Sequence, residues 1–479
     1  MISPLQLSEK LALRRLQWTG LIAAAAISFL VAFAVPLFST VESRIARLLA
    51  STHAVYLPLE LVVGLAALIF LVKHAELAVS LFYIIGFFKG DPHLEAAPID
   101  LTVAVAIIII LAIMARWLFE GRIPQLPKSF IFYVPIIALM LISLTYTPDF
   151  DAGLDKTARF LFLTMLGAVA PFVLVDTPAK IWRFLAGLVI GGIGLSISSF
   201  YMLGGEDRLT APSGDTIGLG LSAGLAAIII WTLWFPAMPL FKRILFYPAM
   251  AILAVALIGS GGRLANVGTT VCFCLGVVFC PKLLIDLGIM VSAGALALPF
   301  IRIPAASYEY LESLWHLERA FGTRTGLMDY GVKIFLEHPL FGVGVQGYRF
   351  NTPNPVTYNF PHNLILELGA ELGVFAVIAF IALVTASYST MSRVLRDRYG
   401  AELPLYRTVF LMLVLACLDA SVSGEMNNDR LLFFAISMPF VLERIVQQRM
   451  AQPGAVEDFA QLPAPLSVPS VAAREGSLP

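Results

Sequence analysis

Two arginines and a histidine stand out of an apolar chain. Arg208 lies in GGEDRLTAPSGD, Arg263 in IGSGGRLANVG, and His362 opens the stretch PHNLILELGAELGVFAVIAF. Arginine keeps its charge, and its planar guanidinium grips phosphate oxygens in pairs. A neutral imidazole suits general-base work near neutral pH, and neighbouring arginines hold it unprotonated. The three together fit an anion of two or more charges beside a hydroxyl that gives up its proton. That is group transfer in which a diphosphate departs. Ser260, Gly261 and Gly262 precede Arg263. Glycines there let the backbone approach a ligand, and the next helix offers its first amides to an anion.

Each residue also has a plainer reading. An arginine at a helix end often snorkels to lipid headgroups, and Arg208 by itself fits that role equally well. A lone interfacial histidine is usually structural, yet His362 sits between Pro361 and Asn363 where a long loop ends. His338 precedes a proline and a glycine series that reads as a turn, and His53, His74, His93 and His316 share no pattern. With no His-x-x-x-His and no Asp-x-Asp pair, neither a metal nor a cofactor is expected. Glu367 and Glu371 are one turn apart, placed either to orient His362 or to pair with loop arginines.

The elements that must position these residues are membrane helices. Of 479 residues, 59% are hydrophobic and 13% are charged, with zero formal net charge. A soluble domain carries about half apolar residues, so the expected fold is an all-α polytopic membrane protein, and nucleic acid is not expected as a partner. Apolar windows of spanning length fall near 17–38, 55–72, 98–119, 129–147, 158–175, 181–203, 215–236, 244–260, 263–280, 283–302, 362–388, 404–423 and 430–446. A shorter run at 75–88 completes a hairpin with 55–72, which gives about 12–14 transmembrane helices. Placing the N-terminus in the cytoplasm leaves eight basic residues in the short outside loops: Arg44, Arg47, Lys89, Lys156, Arg159, Arg208, Arg263 and Arg430. Eighteen others fall inside, as the positive-inside rule requires.

The expected organisation is an N-terminal transmembrane bundle (1–302), a large helical periplasmic loop (303–361), C-terminal transmembrane helices (362–449) and a disordered cytoplasmic tail (450–479). The long loop is expected to be functional, and the Pro-, Ala- and Ser-rich tail cannot bury a core. The basic lead-in LQLSEKLALRRLQW has no small-residue cleavage site after it and reads as the start of the first span. Cys272, Cys274, Cys280 and Cys417 all lie in apolar segments, which argues against a disulfide framework or a zinc site.

Four pieces resemble the O-antigen ligase and O-antigen polymerase superfamily of bacterial inner-membrane glycosyltransferases. They are RLTAPSGDTIGLGLS from Arg208, GSGGRLANVG around Arg263, RTGLMDYGVKIFLEHPLFGVGVQGYRF from Arg324, and PHNLILELGAELGVF around His362. Together they span about 200–385. The family's ligase signature is His, then Asn, Ser or Gln, nine residues, Gly, two residues, and Gly, Thr or Tyr. Here His362-Asn363 leads to Gly373 at the right spacing, but Ala376 takes the last position. The resemblance implies an undecaprenyl-diphosphate-linked glycan as donor and no metal. By the same resemblance Arg208 and Arg263 would hold the diphosphate, His362 would activate the acceptor hydroxyl, and Arg324, Asn363 and Glu367 would be further substrate contacts.

The acceptor stays open at this level. A ligase delivers the glycan to lipid A–core, and a polymerase delivers it to another lipid-linked repeat unit. Fold analogy does not separate them. The intact His-Asn-x9-Gly spacing puts the ligase first, with the site on the periplasmic side of the inner membrane. A polysaccharide transporter is the rival outside enzymes, but transporters place polar sites near the bilayer midplane, and here the polar residues gather at one face.

Overall fold

The computed structural model describes residues 57–91, 100–121, 126–201, 208–297, 317–353, 359–396 and 403–450. The expected first span at 17–38 and the tail beyond 450 lie outside the described residues. The chain is an all-α polytopic membrane protein, with no strand among the described residues. Its helices are α1 (Leu57–Lys73), α2 (Ala75–Ile84), α3 (Leu101–Glu120), α4 (Tyr133–Ser143), α5 (Phe150–Arg159), α6 (Met165–Leu174), α7 (Pro178–Tyr201) and α8 (Thr216–Ile229). They continue as α9 (Tyr247–Gly259), α10 (Arg263–Phe279), α11 (Leu283–Ala297), α12 (Leu317–Glu337), α13 (Leu364–Leu372), α14 (Val374–Arg396), α15 (Leu403–Val422) and α16 (Arg430–Met450).

Seven helices among the described residues are long and apolar enough to cross a membrane, and four shorter apolar helices accompany them. The most enclosed is Thr216–Ala237, 89% buried, which runs through the centre of the bundle. Its small residues allow this close approach. A Cβ at Gly192 of α7 would come within 2.8 Å of Ala226, and one at Gly224 would meet Thr269 of α10.

Charged residues sort to the two ends of the bundle. Arg116 with Asp176, Arg183 with Glu76 (2.7 Å), Arg243 with Asp286 (2.6 Å) and Arg393 with Glu443 (3.0 Å) belong to one end. Lys89 with Asp100 (2.7 Å) and Arg349 with Asp149 (3.1 Å) belong to the other, together with Lys156, Arg208, Arg263 and His362. The grouping is the one that the distribution of lysine and arginine along the sequence anticipates.

Three expectations about local structure change. The hairpin expected at 55–88 is instead a bend, with Gly64–Lys73 and Ala75–Phe88 meeting at 113°. Glu76, 1% exposed, is held by Arg183, and the Ser80 hydroxyl donates to the Phe184 carbonyl at 2.7 Å, so α2 is drawn onto α7. Lys156 and Arg159, expected in a loop, are helical. Asp149 caps α5 by accepting from the Ala152 amide at 3.0 Å, and Phe150–Leu174 runs on as one 25-residue span.

The third change concerns the histidine. The single span expected at 362–388 is two helices, α13 and α14, parted at Gly373. Gly373 has φ +81°, and a Cβ there would lie 2.1 Å from the Leu340 carbonyl oxygen. Glycine is the residue that accepts both conditions. The 338–347 turn packs into this break. Val343 and Gly344 amides donate to the carbonyls of Ala370 and Glu371 (2.9 and 3.0 Å), and the Val374 amide donates to Pro339 (2.8 Å). The helix that His362 precedes is therefore a nine-residue element ahead of the span, and the turn satisfies its orphan carbonyls.

Candidate active site

The first half of the site is a junction between two loops remote in sequence. The Leu209 amide donates to the Gly259 carbonyl at 2.9 Å, which brings the segment after Arg208 against the turn before Arg263. Arg208 lays its side chain on Gly261. A Cβ at that position would lie 3.2–3.6 Å from the arginine's Cδ, Nε and Cζ. Gly261 also has φ +64°, so the turn needs glycine for its conformation as well as for the contact. Arg208 is exposed, and Arg263, the first residue of α10, is half-buried.

The turn satisfies its own carbonyls and leaves its helix uncapped. Asn266 Nδ2 donates to Leu257 (3.1 Å) and Gly262 (3.0 Å), and the Ser260 hydroxyl accepts from the Gly262 amide (3.2 Å). At the start of α10 the N-cap residue is Gly262, which supplies no side chain. Neighbouring helices differ. Asp215 caps α8 by accepting from Ile217 and Gly218 amides, both at 2.9 Å. An uncapped amino end beside two guanidiniums attracts negative charge.

The second half surrounds His362, which has φ +56°, a left-handed value that side chains other than glycine rarely adopt. Its ring lies 4.3 Å from that of Phe360, centroid to centroid. Asn363 follows as the N-cap of α13: its Oδ1 accepts from the Leu366 amide (3.0 Å), and its Nδ2 donates to the Ser421 carbonyl (2.8 Å). Ser421 is in the last turn of α15, which also packs along α10, with Leu415 against Gly268. One helix thus supports the element that starts at Arg263 and the element that starts after His362.

Beneath His362 lies a buried ion cluster. Lys156 Nζ, on α5, reaches Glu367 Oε1 at 2.6 Å and Glu371 Oε2 at 2.7 Å, and both carboxylates are fully buried. Glu367 Oε2 also accepts from the Met426 amide at 2.8 Å, in the loop joining α15 and α16. Burial together with Glu367 one turn away holds the Glu371 carboxyl above its ordinary range, against the pull of Lys156. In the same loop, burial and the charge of Glu367 push Glu425 up to about 7. Asp429 is raised well above its usual range by burial and the neighbouring Asp419.

The candidate residues from the sequence therefore fall into two groups. Arg208 and Arg263 meet at one turn, and His362, Asn363 and Glu367 share one short helix start. Arg324 lies within α12. Asn363 and Glu367 are committed to the protein itself, Asn363 as a cap and tether and Glu367 to a lysine rather than to loop arginines. Sequence reading missed Lys156 as a partner. The signal was in the α5 pattern: Asp151, Asp155 and Arg159 recur every four residues on an exposed face, leaving Lys156 with Gly153 and Phe160 on the buried one.

Two arginines, an uncapped helix start and a histidine thus lie at one end of a helical bundle, in a polytopic all-α membrane protein. Residues 248–381 are similar to the O-antigen ligase family, whose model they match. That segment holds Arg263, Arg324, His362, Asn363 and Glu367, while Arg208 and Lys156 precede it. The family is one of membrane enzymes that act on lipid-linked glycans. No curated protein matches the chain.

Proposed function

We propose that the protein transfers a glycan from an undecaprenyl-diphosphate donor to an acceptor hydroxyl at the periplasmic face of the bacterial inner membrane, as an O-antigen ligase acting on lipid A–core. The observation that carries this reading is the amino end of α10: no side chain caps it, Arg263 begins it, and Arg208 lies on the same turn. Both guanidiniums and the first amides of α10 would hold the donor diphosphate. His362 takes the proton from the acceptor hydroxyl as its oxygen bonds to the anomeric carbon. The bond from that carbon to the diphosphate oxygen breaks, and its electron pair leaves with the diphosphate. Preorganised positive charge where that negative charge develops is the main source of acceleration in such a step.

A polymerase that extends a second lipid-linked repeat unit is the alternative, favoured by Ala376 where the ligase signature has Gly, Thr or Tyr. Both readings use the same donor chemistry. The test is a deletion strain complemented with wild type, His362→Ala or Arg263→Ala, with surface glycan and membrane lipids analysed in parallel. Long glycan accumulating on undecaprenyl diphosphate in the variants supports a ligase, and single repeat units support a polymerase. Normal surface glycan from both variants at normal protein levels would remove these residues from catalysis and favour transport.

A further inference from the structure

We propose that Lys156 is a positioning residue for His362, acting through Glu367 and Glu371; this rests on the reading of His362 as the base. The argument begins with the helix itself. α13 has nine residues and ends abruptly at Gly373, and helices of fewer than about 12 residues are marginal on their own in water. Its orientation therefore comes from tertiary contacts. At its start is a left-handed histidine, a conformation that persists only where the surroundings over-determine it.

Three sets of contacts supply that determination. Asn363 ties the amino end to Ser421, and the 338–347 turn closes the carboxyl end through Val343 and Gly344. The third is the Lys156 grip on the body of the helix, across 215 positions of sequence. Lys156 belongs to a strut that holds the turn as well. Tyr146 donates to the Phe341 carbonyl (2.8 Å), Thr147 to Val345 (2.6 Å), and the Val345 amide to the Ser143 hydroxyl (3.1 Å). The segment from α4 to α5 thus fixes the body of α13 and, through the turn, its carboxyl end, from outside the region that matches the family.

The charge pattern makes Lys156 the centre of this device. One ammonium, 2% exposed, faces two carboxylates on successive turns. Without it two buried negative charges stand side by side, a state that neither burial nor repulsion permits. The pair must then reach for water or bind protons, and either response turns α13 and moves His362. Through Glu367, the loop amide of Met426 moves with it.

The test compares wild type, Lys156→Met, Lys156→Arg, His362→Ala and a neutral triple variant (Lys156→Met, Glu367→Gln, Glu371→Gln). Amide hydrogen exchange is measured on the purified full-length protein, and surface glycan in the complemented deletion strain. Lys156→Met should exchange about tenfold or more faster across 361–372 and at Met426, with α10 and α15 unchanged, and should yield as little glycan as His362→Ala. Lys156→Arg should restore both. The triple variant carries no charge at this buried cluster, so it accumulates even where Lys156→Met does not, and it should also lose glycan. Wild-type glycan from the triple variant, or a loosening spread evenly over α10 and α15, would overturn the positioning role. If His362→Ala itself makes normal glycan, the catalytic reading fails; Lys156 is then judged by exchange alone, and unchanged protection of 361–372 rejects the grip.

Discussion

The amino ends of α10 and α13 lie at the same end of the bundle and are built for opposite charge. α10 starts with Gly262 and Arg263, without a side-chain cap and without an acid in its first turn. α13 starts after His362 with Asn363 as its cap and Glu367 in its first turn, and Glu371 follows one turn later. A helix dipole favours an anion at the first end, while at the second the place of an anion is already filled. The difference separates two tasks. In the proposed function one element receives negative charge from outside, and the other spends its polar groups on holding a histidine in an unusual backbone conformation.

The largest effects should come from removing one function at a time. His362→Ala should lower transfer by about 10²–10⁴-fold with donor binding kept. Arg263→Ala should lower transfer by about 10²–10³-fold and weaken donor binding as well. Binding of undecaprenyl diphosphate to purified protein, read beside transfer, distinguishes the two. Equal loss of binding in both variants would erase the division between the helix ends.

Making α10 resemble α13 is the sharper test. Gly262 has φ −72° and ψ 96°, ordinary extended backbone, and a Cβ there would be 3.4 Å from the Ser260 hydroxyl and 3.5 Å from Ala265. Gly262→Asp therefore fits and supplies the missing cap. Thermal unfolding should show a gain of about 0.5–1 kcal/mol, while transfer drops about tenfold or more. A stabilised protein with undiminished transfer would mean that the uncapped amides serve no anion.

Glu425 gives a pH signature to the histidine side. Its carboxyl is raised from an ordinary 4.5 to about 7, so the folded protein holds that proton over a range where the unfolded chain has released it. Its contribution to stability is complete below about 4.5 and is lost as pH rises to 7. Glu425→Gln removes this loss and should make the protein more stable than wild type by about 1–3 kcal/mol at pH 8. The advantage should vanish below pH 4.5; a pH-independent difference would show that Glu425 titrates normally.

The smallest expected effect is the most diagnostic of strain. His362→Gly places glycine where φ is +56° and should raise stability by up to about 1 kcal/mol, with transfer lost as in His362→Ala. Destabilisation by glycine would show that the imidazole's packing on Phe360 outweighs the strain.

Much of this architecture is legible along the chain. Arg263 stands out because it interrupts a nearly continuous apolar run beside glycines that announce a turn, whereas Arg208 by itself reads equally well as a headgroup anchor. The end of the bundle to which each belongs follows from where lysines and arginines fall between apolar windows. Other features are invisible there. The 362–388 run reads as one span because its hydropathy is continuous, and only the Leu340 carbonyl pressed against Gly373 reveals the break. Glu367 and Glu371 read as partners of a histidine or of loop arginines, because their spacing says which face they share and not what faces them.

The sequence by itself determined an all-helical membrane chain, its sorting of charge to two ends, and the kinds of side chain available for chemistry. These are sums over neighbouring residues, since transfer to lipid and helix periodicity act locally. Tertiary structure alone decided that Arg208 lies on the turn before Arg263, that Asn363 is tied to Ser421, and that one lysine holds the helix after His362. Such pairings join residues as many as 215 positions apart. Their energies exist only once packing has removed water and brought the partners within reach.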